Sequence, residues 1–226
     1  MDAVAIALAL LNDSRVEPDL KSLARSYINR GRAMLLERHR QGAGGLEVAA
    51  AYSTVMDHLI RQLLGAISAE LLYRFPGDPP RFAIVAQGGY GRGELNPQSD
   101  IDLLFLHRWK VTPFFESVTE KLLYTLWDCG LQVGHATRSI TDCVRLAESD
   151  MRIRTALLDA RFLCGDYSLY GGFEKALEGK LLKKGIARFV REKEEESRQR
   201  HATYGGSVYM LEPEVKEGEG GLRDIQ

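Results

Sequence analysis

An α/β (α+β) chain, with a small mixed sheet flanked by N- and C-terminal helices, is predicted by three observations. Short apolar runs alternate with helical stretches from about residue 81 to residue 165. Ahead of them, apolar residues recur at helical spacing, and after them comes a mainly helical, charge-rich tail.

Taken in order, Leu20, Leu23, Tyr27, Met34 and Leu35 recur at helical spacing within residues 18–40, with Arg and Lys between them. Gln41-Gly42-Ala43-Gly44-Gly45 interrupts the pattern. A longer helix then carries Tyr52, Val55, Met56, Leu59, Ile60, Leu63, Leu64 and Ile67 on one stripe. It stops at Arg74-Phe75-Pro76-Gly77-Asp78-Pro79-Pro80, where consecutive prolines remove donors and restrict their neighbours. Such a stripe packs a core, so these helices read as a scaffold for the sheet.

The first strand-like run ends at Gly88-Gly89, and a second opens with Asp100. Pro113 starts a helix bearing Val118, Leu122, Leu123, Leu126 and Trp127, with Gly130 as its stop. Leu131, Val133, His135 and Thr137 alternate with more polar neighbours, which predicts a third strand. Residues 141–160 and 172–200 read as mainly helical, and Arg161 to Cys164 as a short strand closing on Gly165-Asp166. The mixed charges from Glu192 to Arg200 read as a solvated helix face.

Composition narrows the function classes. With 30 Lys and Arg against 31 Asp and Glu, the chain has no basic field to favour nucleic acid or an anionic membrane. The 3 cysteines, Cys129, Cys143 and Cys164, have no metal-ligand or CxxC spacing, so reduced thiols in a cytoplasmic protein are expected. No apolar run approaches the length of a membrane span, and Met1-Asp2 begins no basic signal region.

The chemistry concentrates in GGYGRGELNPQSDIDLLFL, residues 88–106. Side chains alternate along a strand, so Asp100 and Asp102 share a face while Ile101 turns into the core. Two neighbouring carboxylates repel unless a cation joins them, and a hard divalent ion bound through carboxylates and phosphate oxygens suits the pair. Gly88 and Gly89 allow close approach of a triphosphate to the backbone. Arg92 either charges a phosphate site or pairs with Glu94, and Ser99 is a further hydrogen-bond donor. A DxD pair or a glycine-rich turn alone is weak evidence. Their order, strand then Gly-Gly then turn then Ser-Asp-Ile-Asp opening a second strand, points to metal-dependent nucleotidyl transfer.

That run resembles the nucleotidyltransferase motif of the bacterial PII uridylyltransferases, the bifunctional uridylyltransferase/uridylyl-removing enzymes. Leu211-Glu212-Pro213-Glu214-Val215-Lys216-Glu217-Gly218 followed by Gly220-Gly221-Leu222-Arg223-Asp224-Ile225-Gln226 resembles a second segment of the family. Val133-Gly134-His135 with Arg138, and Leu157-Leu158-Asp159-Ala160-Arg161-Phe162, also fit, so the likeness covers roughly residues 80–226.

The resemblance implies a polymerase-beta-like nucleotidyltransferase core. It divides the chain into an N-terminal helical region (1–76), the catalytic core (77–170) and the start of the following helical domain (171–226), which the abrupt stop reads as truncated. It implies transfer of UMP from UTP to a tyrosine of the nitrogen-signalling protein PII, with Mg²⁺ or Mn²⁺ on Asp100 and Asp102 and pyrophosphate as leaving group. Full-length relatives continue into an HD-type phosphohydrolase domain and ACT domains. This chain has no His-Asp dipeptide, so uridylyl removal is not expected of it.

Several points stay open. The third carboxylate that the wider fold places on the next strand has no counterpart at Gly134-His135, leaving Asp159 as a candidate that pairs equally well with a nearby Arg. His135 reads equally as a packed histidine. Lys216, Arg223 and Asp224 either reach the active site or lock the helical domain against it. The alternatives are another protein or small-molecule nucleotidyltransferase of the same fold, or a non-catalytic module binding nucleotide or PII.

Overall fold

The computed structural model describes residues 19–75, 81–179, 186–204, 212 and 214–225. The sequence segments Pro76–Pro80, 180–185, Leu211, Pro213 and Gln226 lie outside the described residues.

Two long helices come first, α1 (Leu20–Arg40) and α2 (Gly45–Leu72). The stripe expected on α2 is observed, with Tyr52, Met56, Leu59, Ile60, Leu63, Leu64 and Ile67 all buried. On α1 the periodicity slips: Met34 is 40% exposed, while Ala24 and Ile28 join Tyr27 and Leu35 in the interior. The reason is that α1 packs along α2 as well as α4, and the seam between them, rather than the strict stripe, selects the face.

The core follows as β1 (Phe82–Ala86), a single helical turn α3 (Gly88–Gly91), β2 (Ile101–His107), α4 (Pro113–Asp128), β3 (Val133–Ser139), α5 (Ile140–Ser149), α6 (Met151–Leu158), β4 (Arg161–Gly165) and α7 (Tyr167–Leu177). Helix α4 starts as its sequence implies, with Pro113 in the first turn and the Thr112 hydroxyl accepting from Phe115 N at 3.3 Å. Gly130 closes it at φ +79°. Helix α8 (Ile186–Tyr204) and a short turn of helix α9 (Leu222–Ile225) complete the described elements.

The 4-stranded sheet has the order β3-β2-β1-β4. β1 runs antiparallel to both β2 and β4, and β2 runs parallel to β3, so the sheet is mixed. Strand alternation sorts the core into two layers. Phe82, Ile84, Ile101, Leu103 and Phe105 pack with α1, α2 and α4 on one face. Ala83, Val85, Leu104 and Leu106 pack with α5 and α7 on the other. β3 departs from its expected alternation, since His135 and Thr137 are exposed and Ala136 is half-buried. Among the described residues it is an edge strand paired only with β2, and only part of its surface is covered.

Cys129, Cys143 and Cys164 are free thiols. Burial pushes the Cys143 and Cys164 thiols up to about 12, so both stay protonated and unreactive at neutral pH. No described helix is long and apolar enough to cross a membrane.

Candidate active site

The site lies at the end of the sheet where β1 leaves and β2 enters. β2 opens at Ile101, one residue later than the sequence pattern suggests, so exposed Asp100 stands immediately before it. Ile101 is buried and its N–H donates to Gln132 O at 2.9 Å, which starts the strand against β3. Asp102 O accepts from Gln87 N at 3.0 Å, tying the same point to the end of β1. Alternation places Asp102 on the face of Leu104 and Leu106, opposite Ile101.

Backbone crowds the Asp102 carboxylate from two sides. A Cβ on Gly88 would lie 3.2 Å from Oδ2, and one on Gly134, the register partner of Asp102, would lie 2.5 Å from Oδ1. The residue keeps solvent-exposed surface, yet this enclosure has an electrostatic effect. Burial is the largest influence raising the Asp102 pKa above its usual range, repulsion from Asp100 adds to it, and Lys216 draws it partly back.

The glycine-rich turn is helical. Gly91 N donates to Gln87 O at 2.9 Å and Arg92 N to Gly88 O at 3.0 Å, while Gly88 has φ +56°. Gly91, which the motif reading leaves without a role, is the most constrained residue of the turn: a Cβ there would meet Asp159 O at 1.9 Å. Gly89 differs. Its φ is not positive, and a Cβ would meet only Glu94 O at 3.6 Å and Arg92 Nη2 at 3.8 Å, both ordinary contacts.

Arg92 takes both partners that the sequence offers it, with Nε donating to Glu94 Oε2 at 3.0 Å and Nη1 to Asp159 Oδ2 at 2.6 Å. Asp159 is therefore an ion-pair partner that anchors the turn to the end of α6. Ser99 is exposed, its N–H donating to Asn96 O at 3.0 Å. His135 stacks edge-on against Trp127, ring centroids 5.8 Å apart.

Polar residues hidden in the apolar stripe of α2 hold the turn and the following loop. Ser53 Oγ accepts from Leu95 N at 3.0 Å. Buried Asp57 accepts twice from Arg161, at 2.6 and 3.0 Å, and Arg161 also donates to Tyr90 O at 3.0 Å and Gly91 O at 3.1 Å. Arg32 of α1 donates to Pro97 O at 3.2 Å. The only sequence signal for these roles is a Ser and an Asp breaking an otherwise apolar face, and that signal cannot name their partners.

Among the described residues no group of three or more His, Cys, Asp or Glu side chains is placed to hold a metal ion. Asp100 and Asp102 therefore fit a hard cation that keeps waters and takes phosphate oxygens, and do not fit an ion caged by protein. When bound, such an ion would supply positive charge to the nucleotide phosphates and to a leaving pyrophosphate.

A glycine turn followed by two carboxylates thus stands at one end of a mixed sheet, inside a stretch that comparison assigns to a nucleotidyltransferase domain. Residues 67–162 match the family model described as "Nucleotidyltransferase domain". Residues 188–226 match a second, described as "GlnD PII-uridylyltransferase". Similar curated proteins are named "Bifunctional uridylyltransferase/uridylyl-removing enzyme". That of Caulobacter vibrioides is 47% identical over 87% of this chain and 21% of its own length. That of Phenylobacterium zucineum is 45% identical over 90% of this chain and 22% of its own. A third, from Rhodopseudomonas palustris, is 42% identical over 95% of this chain and 23% of its own. The chain belongs to this enzyme family, and it spans between 21% and 23% of the length of these relatives.

Proposed function

We propose that the chain transfers UMP from UTP to a tyrosine hydroxyl of PII, releasing pyrophosphate, in the cytoplasm and in the service of nitrogen regulation. The observation that carries the catalytic assignment is the Asp102 carboxylate set between Gly88 and Gly134 beside Asp100. A carboxylate hemmed in by backbone and repelled by its neighbour Asp100 is costly to ionise without a cation, and Mg²⁺, with Mn²⁺ as substitute, matches that need. UTP and PII are proposed on the names of the relatives and of the family model over residues 188–226.

Asp100 and Asp102 would hold the metal. Gly88 and Gly89 would let the triphosphate approach the backbone. The fold does not demand glycine at position 89, where a Cβ would meet only ordinary contacts, and that leaves room for a phosphate. Arg92, already neutralised by Glu94 and Asp159, would act mainly by fixing the turn, with its guanidinium beside Gly89 as a secondary phosphate donor. Ser99 would hydrogen-bond the nucleotide. Catalysis on this reading is positioning and charge stabilisation. The division into residues 1–76, 77–170 and 171–226 is part of the same proposal.

Mass spectrometry of PII incubated with this chain, Mg²⁺ and each nucleoside triphosphate in turn tests it. A uridylyl adduct on tyrosine with UTP is expected. No adduct with any nucleotide overturns the reading. The absence of a third metal-binding acid among the described residues favours, as second reading, a module that binds nucleotide without turnover. Nucleotide binding by titration calorimetry, with no pyrophosphate released from the same mixture, would establish it.

A further inference from the structure

The two edges of the sheet are unlike. β4 closes one side with 5 residues, and its register with β1 shifts between Ile84 and Val85, an irregularity of the kind that blunts an edge. β3 closes the other side with 7 residues in unbroken parallel register, from Ile101–Val133 to His107–Ser139. It carries no lysine or proline, and its one formal charge, Arg138, stands at the end away from Asp102. Gln132 O accepts from Ile101 N at 2.9 Å, and backbone groups alternate sides along a strand. Val133, His135 and Thr137 therefore turn their N–H and C=O groups to the open side. Among the described residues none of these outward groups has a hydrogen-bond partner.

This open edge begins at the catalytic end of the sheet. Asp102 pairs with Gly134, and Asp102 Oδ1 lies 2.5 Å from the point where a Gly134 Cβ would stand. The carboxylate thus leans over the edge strand. A strand added beyond β3 would run about 4.8 Å from it, and its residue opposite Gly134 would project to the same face as Asp102. Glycine leaves no side chain between the two. On the opposite face aromatic rings flank the same edge. His135 stands edge-on to Trp127 with ring centroids 5.8 Å apart, and Trp127 to Tyr124 at 5.7 Å. Trp127 is 40% exposed and Tyr124 59%. The neighbours of the residue facing Asp102 would alternate onto this aromatic shelf.

We propose that the open edge of β3 is the docking site of the acceptor protein, which adds an extended segment to the sheet and so sets its hydroxyl residue opposite Gly134. The proposal deepens the uridylyltransferase reading and rests on it. Main-chain hydrogen bonds to Val133, His135 and Thr137 supply the affinity, and the alternating side chains of the added segment supply the specificity. The segment that fits has a tyrosine facing Asp102 and an apolar residue beside it facing Trp127 and Tyr124. Tyrosine suits the place because its hydroxyl has to reach across a whole strand to a carboxylate on the next one, and the shorter serine or threonine side chain stops over Gly134. Pairing along the edge also fixes the direction from which the hydroxyl arrives.

The test compares wild type, His135→Pro and Asp102→Asn. Proline at position 135 removes an outward N–H without taking a bond from β2. KM for PII should rise at least about tenfold in His135→Pro, as for loss of a hydrogen bond and displacement of its neighbours. Its kcat, its affinity for a non-hydrolysable UTP analogue and its melting temperature should stay near wild type, which a general disturbance of the site would not allow. In the wild type, adding PII should protect the amides of residues 133–139 from hydrogen exchange. An unchanged KM for PII in folded His135→Pro overturns the inference. Where that variant melts low, the exchange measurement decides, and no added protection over residues 133–139 overturns it. A wild type that dimerises through this edge, with His135→Pro monomeric, also overturns it by giving the edge to a second copy. If wild type transfers nucleotide and Asp102→Asn does not, any of these results sinks the docking site alone. Full activity of Asp102→Asn, or a wild type that does not transfer, sinks the catalytic reading and this inference with it.

Discussion

Asp102 and Gly134 face one another across parallel strands, and a Cβ on Gly134 would stand 2.5 Å from Asp102 Oδ1. The position where a further acid was sought is thus filled by the backbone that seats the existing one. Gly134→Ala has no positive φ to strain, and the colliding atom is the tip of a side chain that can swing away. The fold should therefore survive with a melting temperature near wild type. The displaced carboxylate should lower transfer on the order of a hundredfold, the scale set by a misplacement of about 1 Å. PII modification beside a thermal melt checks this.

Asp100→Asn and Asp102→Asn should each remove a ligand charge and reduce transfer at least about a hundredfold while leaving circular dichroism unchanged. Near-wild-type rates in both variants would contradict the metal-site assignment.

The metal-free protein should reveal the strain on Asp102 through pH. Its folded pKa is raised above the ordinary 3.8, so the folded state holds this proton more tightly than the unfolded state does. The ionised carboxylate is therefore a destabilising feature, absent below the ordinary pKa and growing as pH rises through the raised one. In EDTA at neutral pH, Asp102→Asn should melt at or above wild type, and the difference should vanish in acid. Added Mg²⁺ should stabilise wild type more than the variant, reversing the order. A variant less stable than wild type in EDTA at neutral pH would contradict the enclosure described for this side chain.

The glycines of the turn should separate by role. Gly91→Ala collides with the Asp159 carbonyl at 1.9 Å and should lower the melting temperature, as should Gly88→Ala at φ +56°. Gly89→Ala meets only ordinary contacts, so its melt should match wild type while its affinity for a UTP analogue falls. Unchanged affinity in a well-folded Gly89→Ala protein would remove the phosphate role from that residue.

Asp57 links α2 to the turn through Arg161, which reaches the carbonyls of Tyr90 and Gly91. Asp57→Ala strands a partly buried guanidinium and should cost about 2–4 kcal/mol by urea denaturation. Transfer by the folded fraction should fall as well, because the clamp on the turn is lost.

Although residues 141–160 divide into α5 and α6 and the glycine turn is helical, the sequence by itself determined the positions of the four strands, the helix after β2 and the opposite facing of Ile101 and Asp102. Each of these follows from short-range rules: apolar period, turn chemistry, and the alternation that sends Ile101 inward and Asp102 to the other face. Strand order, the parallel register of Asp102 with Gly134, and the partners of Arg92 and Asp57 were decided by the tertiary structure. Met34 and His135 show why. Met34 recurs at the spacing of the apolar face and His135 sits in an alternating strand, but whether a neighbour covers them depends on elements far along the chain. An ion pair such as Arg92–Asp159, whose members stand 67 positions apart, leaves no periodic trace, because its geometry exists only after the sheet has brought α3 against the end of α6.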